Sequence, residues 1–109
     1  MREEFPARML RIHFGENDQW QGRPLPEAMI ALCREMNIAE ALVFRGIEGY
    51  GRNSRIRRAS HWMFSSDAPL MLCVVDSEEQ IGKLIPHLKE MVQDGLIALS
   101  RVEAIRTSR

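Results

Sequence analysis

The chain has 109 residues, 45% apolar and 28% charged, a balance that suits one hydrophobic core and excludes intrinsic disorder. Its 15 basic and 15 acidic residues cancel, which argues against a global attraction to nucleic acid or to an anionic membrane. No apolar run approaches the roughly 20 residues that span a bilayer, so no direct membrane insertion is expected.

Residues 1–109 are expected to form a single domain, with 1–7 and 107–109 as flexible ends. Residues 8–14 read as a strand, because Leu10, Ile12 and Phe14 alternate with Arg11 and His13. The polar stretch 15–26 is rich in turn formers, and Trp20 within it is expected to pack against a neighbouring subunit. Residues 27–37 read as a helix, since Leu25, Ala28, Met29, Leu32, Cys33 and Met36 form one apolar stripe and Asn37 is a plausible stop. Residues 41–50 read as a second strand that runs into Gly46, Gly49 and Gly51. A basic loop, 52–58, follows, and 59–64, with Trp62, reads as a short strand or hairpin arm. Six consecutive apolar residues, 70–75, suit a central strand buried on both faces.

Residues 77–94 read as the second helix. Ser77 and Gln80 have the spacing of a capping box, and Glu78 and Glu79 suit the positive end of the helix dipole. Pro86 is expected to kink this helix, and Gly95 to supply a left-handed cap. In the last strand, 96–106, the apolar phase slips by one residue at Ser100–Arg101, which predicts a β-bulge or a change of facing. The order strand, helix, strand, strand, helix, strand is that of an α+β, ferredoxin-like (βαββαβ) antiparallel sheet with both helices on one face. A domain this small buries only about 60–70% of its unfolded surface, and apolar residues of both parities on the second and third strands suggest that other subunits cover the open face.

His13, His61 and His87 lie in no familiar metal-ligand spacing, and no paired carboxylates occupy an apolar context, so neither a metal site nor catalysis is expected. Cys33 and Cys73 sit on apolar stripes and read as reduced core thiols. With no apolar leader in 1–6, a cytoplasmic location is expected. Thirteen of the 15 basic residues are Arg, and five fall between Arg45 and Arg58 against one acid, Glu48. Such a segment is either a solvated charged loop or a contact for an anion or acidic partner. It follows Gly46-Ile47-Glu48-Gly49-Tyr50-Gly51-Arg52-Asn53, where closely spaced glycines permit a backbone nest for an anion.

These residues carry a resemblance. Gly49-Tyr50-Gly51-Arg52 resembles the base of the T-loop in PII signalling proteins, and Arg101-Val102-Glu103-Ala104-Ile105-Arg106-Thr107 is similar to their terminal strand. A closer likeness is to the PII-like family called domain of unknown function 190. Its hallmarks stand here as Leu10-Arg11-Ile12-His13-Phe14-Gly15-Glu16-Asn17-Asp18, then Trp20, Gly22, Pro24 and Leu25, then Phe44-Arg45-Gly46-Ile47, Gly49-Tyr50-Gly51 and Ser54-Arg55-Ile56. The resemblance implies a homotrimer that binds an adenine nucleotide between subunits. Gly49, Tyr50, Gly51, Arg52 and Asn53 would line that site, and Arg106 would approach the phosphates. Arg55, Arg57 and Arg58 of the short T-loop-like segment 51–58 would face a partner, such as a membrane transporter or channel. Leu96 stands where PII proteins carry a phosphate-binding Lys, and Ala104 replaces a terminal-strand Arg, which favours AMP or ADP, or a cyclic nucleotide, over ATP. Asn53 replaces the Gln that helps hold magnesium, which leaves magnesium open. A nucleotide-processing enzyme and a ligand-free interaction module on the same fold remain the alternatives.

Overall fold

A computed structural model describes residues 3–46, 48–50, 56–58, 68–93 and 95–107, with the backbone alone at 3, 48–50 and 56–58. Ten elements follow one another: β1 (Glu3–Gly15), β2 (Gln19–Trp20), β3 (Arg23–Pro24), α1 (Leu25–Glu35), β4 (Glu40–Arg45), β5 (Glu48–Tyr50), β6 (Ile56–Arg58), β7 (Pro69–Asp76), α2 (Glu78–Met91) and β8 (Ile97–Arg106). The sheet runs β4-β7-β1-β8 and all its pairings are antiparallel; β2-β3 and β5-β6 are separate two-stranded ribbons. This is the ferredoxin-like α+β arrangement that the element order predicts. No helix among the described residues is long and apolar enough to cross a membrane.

Directly opposed residues of paired strands share a face, so the register assigns every side chain. Leu10, Ile12 and Phe14 of β1 oppose Val74, Leu72 and Leu70 of β7. They pack against Leu25, Ala28, Met29 and Cys33 of α1 and Ile81, Leu84, Leu88 and Met91 of α2. The other face holds Met9, Arg11 and His13, Met71, Cys73 and Val75, and Leu42 and Phe44. No element among the described residues covers it: Leu42 is 48% exposed and Phe44 47%. Residues 70–75 therefore do form an interior strand, but within one chain their burial alternates along β7.

Several boundaries differ from the sequence expectation, each for a local reason. β1 starts at Glu3, because the segment expected to be flexible pairs residue by residue with the end of β8, Glu3 opposite Arg106 and Ala7 opposite Val102. Of the two readings of the phase slip in β8, the change of facing holds and the bulge does not: the register with β1 is unbroken from Arg106 to Ile97, and Leu99 and Val102 face opposite sides. α1 begins at Leu25, since Pro26 fits the first helical turn, where its missing N–H has no partner to lose. Asn37 is the stop the sequence marks, in left-handed conformation at φ 56, and Ile38 N–H donates to Cys33 O at 3.0 Å. α2 runs as one helix through Pro86 and ends at Met91. Gly95 is not its left-handed cap. A Cβ there would stand 2.7 Å from both His13 O and Val92 Cγ1, so the glycine serves close approach of the α2–β8 connection to β1. Trp20 packs against the chain's own core. The arm expected at 59–64, with His61 and Trp62, lies outside the described residues.

The helices are tied together at one end of the sheet. The Asp76 carboxylate accepts Ala39 N–H at 2.7 Å through Oδ2 and Ser77 N–H at 2.6 Å through Oδ1. Ser77 caps α2, its Oγ accepting Gln80 N–H at 3.2 Å. The capping box is only half made, because the Gln80 side chain donates instead to Met36 O at 2.8 Å, at the end of α1. Hydrogen bonds to a charged group contribute about 1.5–3 kcal/mol each, so Asp76→Ala should cost about 3 kcal/mol, read as a lowered urea midpoint with unchanged m. Asp76→Asn keeps one oxygen acceptor and should lose less.

Burial pushes the Cys33 thiol up to about 11. The thiolate is the reactive form, so raising the pKa leaves it scarce below that value. Native protein at pH 8 should leave Cys33 unalkylated by iodoacetamide, and denatured protein should expose it to rapid modification, as mass spectrometry would show.

Candidate functional site

The chain leaves the sheet at the end of β4, where two backbone bonds hold the exit. Gly46 N–H donates to Pro69 O at 2.8 Å and Glu16 N–H donates to Ala68 O at 2.9 Å. The Arg45 guanidinium pairs with the Glu16 carboxylate across the same junction. A Cβ on Gly46 would stand 3.0 Å from Pro69 Cγ and 3.3 Å from Pro69 O, so a glycine fits there where a larger residue crowds the exit. On the other side of Glu16, Asp18 Oδ2 accepts Gly15 N–H at 3.0 Å and Asp18 O accepts Leu25 N–H at 2.8 Å. The β2–β3 turn follows, with Gln21 at φ 49 and Gly22 at φ 79. The two motif stretches around Gly15 and Gly46, far apart in sequence, thus meet as one junction.

From that junction rises a hairpin. β5 pairs with β6 in the register Glu48 opposite Arg58, Gly49 opposite Arg57 and Tyr50 opposite Ile56. Part of the segment expected to be loop is therefore strand: Arg57 and Arg58 lie on β6. The reason is backbone satisfaction, since pairing gives residues 48–50 and 56–58 partners that an open loop would leave to water. Gly49 and Tyr50 occupy the outgoing strand. Gly51, Arg52, Asn53 and Arg55 lie outside the described residues.

Arg106 stands elsewhere. It is the last residue of β8, opposite Glu3, and its guanidinium lies 6.0 Å from the centre of the Phe5 ring. Arg45 at the end of β4 lies level with Leu70, and Leu70 with Phe14. Phe14 and Glu3 are eleven steps apart along β1, roughly 35 Å of extended strand. β5 begins three residues after β4 ends, a reach of about 10 Å. One chain therefore does not bring its own Arg106 to its own Gly49–Tyr50 segment. The Arg45–Glu16 pair was not assigned from sequence, although both residues stand in the quoted motif stretches; the signal was two opposite charges, each next to a glycine at the end of a strand.

The family model of DUF190, described as an uncharacterized ACR, matches residues 7–104. The chain belongs to that family. A UPF0166 protein from Aquifex aeolicus (strain VF5) is 32% identical over 98 residues, covering 90% of this chain and 92% of that one. Among solved structures, the DUF190 chain is similar to CPII, a nitrogen regulatory PII-like protein from Thiomonas intermedia K12 bound to ADP, AMP and bicarbonate. The TM-score is 0.69 at 16% identity, over 95% of this chain and 92% of CPII. A PII-like protein from Thermus thermophilus matches with a TM-score of 0.66 at 14% identity, over 94% of this chain and 92% of that one. The fold is thus that of PII-like proteins.

The junction separates a steric effect from an electrostatic one. Gly46→Ala forces its neighbours apart and should lower unfolding free energy by about 1–2 kcal/mol. Glu16→Gln removes one partner of a solvent-accessible ion pair and should cost under about 1 kcal/mol. Urea titrations of the two variants test that order.

Proposed function

We propose that this chain is a PII-like regulatory protein rather than an enzyme. It assembles as a homotrimer and binds an adenine nucleotide, AMP or ADP in preference to ATP, in the clefts between subunits. It conveys that state to a protein partner through the 48–58 hairpin. The observation that carries the reading is the split of the candidate site: Gly49 and Tyr50 stand at one end of the sheet and Arg106 at the other, so a site using both is made from two chains. The uncovered apolar sheet face supports self-association. CPII, which shares the fold, is bound to ADP and AMP. Gly49, Tyr50, Gly51, Arg52 and Asn53 hold the nucleotide with Arg106 of a neighbouring copy, and Arg55, Arg57 and Arg58 face the partner.

Calorimetry with AMP, ADP and ATP, with and without magnesium, tests the ligand. Charge-assisted hydrogen bonds contribute roughly 1.5–3 kcal/mol, so Arg52→Ala should weaken nucleotide binding about 10–100-fold. Replacing Arg55, Arg57 and Arg58 together with Ser should leave that affinity within a few-fold. Mixing tests the shared cleft. Arg52→Ala and Arg106→Ala chains, each binding only weakly alone, should regain about a quarter of the full-affinity sites when unfolded and refolded together in equal amounts, because random assembly joins an intact Arg52 to a neighbour's intact Arg106 at that frequency. No recovery would place the whole site within one chain. Product formed on long incubation with magnesium and ATP would favour the enzyme reading instead.

A further inference from the structure

The open sheet face is apolar except at a few places. Met9 and Met71, Cys73 and Val75, Leu42 and Phe44, and Ala98 share its four-stranded part, and two formal charges of opposite sign lie among them there, Arg11 on β1 and Glu40 on β4; Arg106 has the same parity but stands at the far end of the β1–β8 ribbon. Arg11 is directly opposed by Cys73 on one side and Ala98 on the other, with Leu42 beyond Cys73. Glu40 opposes Val75 at the start of the edge strand. Both side chains are exposed. Within one chain their backbone positions are two strands and one two-residue step apart, roughly 12 Å, and the two side chains form no ion pair with each other. Neither makes an ion pair with any described residue.

A face of this kind tolerates a cover only if the guanidinium in its middle meets a counter-charge, because burying an unpaired charge is strongly unfavourable. The face supplies that counter-charge itself, displaced to the β4 edge. A second copy is therefore the occupant whose charge matches: laid heterologously, the β4 edge of one chain reaches the β1–β8 side of the next, and each Arg11 finds a Glu40 with no net charge left over. We propose that Arg11 of one copy pairs with Glu40 of its neighbour across this face, and that the pair sets the register in which copies of the chain assemble. This rests on the self-association proposed above. His13, beside Met71 and Phe44, and the Cys73 thiol are the other titratable groups of the four-stranded part of the face.

Charge reversal tests the pair. Wild-type protein should show by light scattering three times the 12.6 kDa chain mass. Arg11→Glu and Glu40→Arg should each fall to single-chain mass at micromolar concentration, and the two substitutions in one chain should restore assembly. Cys73, half-buried on this face, gives a second readout: maleimide labelling should be slow in the wild-type and double variant and at least about tenfold faster in each single variant. Buried Cys33 should stay unlabelled throughout, which shows that the variants remain folded. Single variants that assemble like the wild-type protein would overturn the pair while leaving self-association standing. Single variants that dissociate with no recovery in the double variant would also overturn it, since the two charges would then not face each other. A monomeric wild-type protein would overturn both readings at once.

Discussion

Asp76 is the buried charged side chain of the described core, and the rest of the helical layer is organised around it. It sits at the last position of β7, where the chain turns into α2, and it reaches sideways to the connection that leads from α1 into β4. Both crossings between helix and strand at this end therefore share one carboxylate. Its oxygens satisfy backbone N–H groups that would otherwise be orphaned where strands meet helices. Gln80 closes the same corner from the other direction by taking up the Met36 carbonyl. Arg8, opposite Asp76 on β1, adds an outer contact to Glu78 at 3.1 Å.

That arrangement makes the two ends of the sheet different. At the Asp76 end, helices, strands and turns are bound to one another through the buried Asp76 carboxylate and the part-buried hydrogen bonds around it. At the far end, marked by Gly15, Arg45 and Pro69, the sheet is held by a few backbone hydrogen bonds and an exposed ion pair, and from there the hairpin departs. A device that must change shape on binding is best placed where little core packing opposes it. β1 links the two regions, because it pairs with β7 over one part of its length and with β8 over a longer part. The ribbon of β1 and β8 that runs past Arg8 carries Arg106 away from the hairpin of its own chain. On the proposed function, Arg106 serves the site of another copy.

The sheet faces divide the labour in a similar way. Small domains have little interior to fill, and here the helices fill one face while Leu42, Phe44, Met71 and Val75 remain on the other. On the proposed function, assembly, the nucleotide cleft and the hairpin are therefore one problem. A chain that stayed single would expose the apolar face and hold only half of the candidate site.

The fold was legible in the sequence to the extent that periodicity and caps are local. The alternation of Leu10, Ile12 and Phe14, the stripe from Ile81 to Met91, the cap at Ser77 and the stop at Asn37 each follow from chemistry within a few residues of chain. The glycine-rich exit from β4 and the motif stretches around Gly15 and Gly46 were visible too, and with them the family. What failed locally were features set by a partner strand. The phase slip at Ser100–Arg101 stays open between a bulge and a change of facing until β1 supplies an unbroken register, and Glu3–Ala7 reads as a loose end until β8 pairs with it. Gly95 reads as a cap until His13 O is seen to occupy the space where a Cβ would stand. The meeting of Glu16 with Arg45, the reach of Asp76 to Ala39 and the distance of Arg106 from Gly49 all join residues far apart in sequence. Neighbours along the chain were enough to set the six main elements and their order and to mark the residue types of the candidate site. Which ends meet, which face stays open and which residues one chain cannot unite follow instead from strand register, a property of two segments at once.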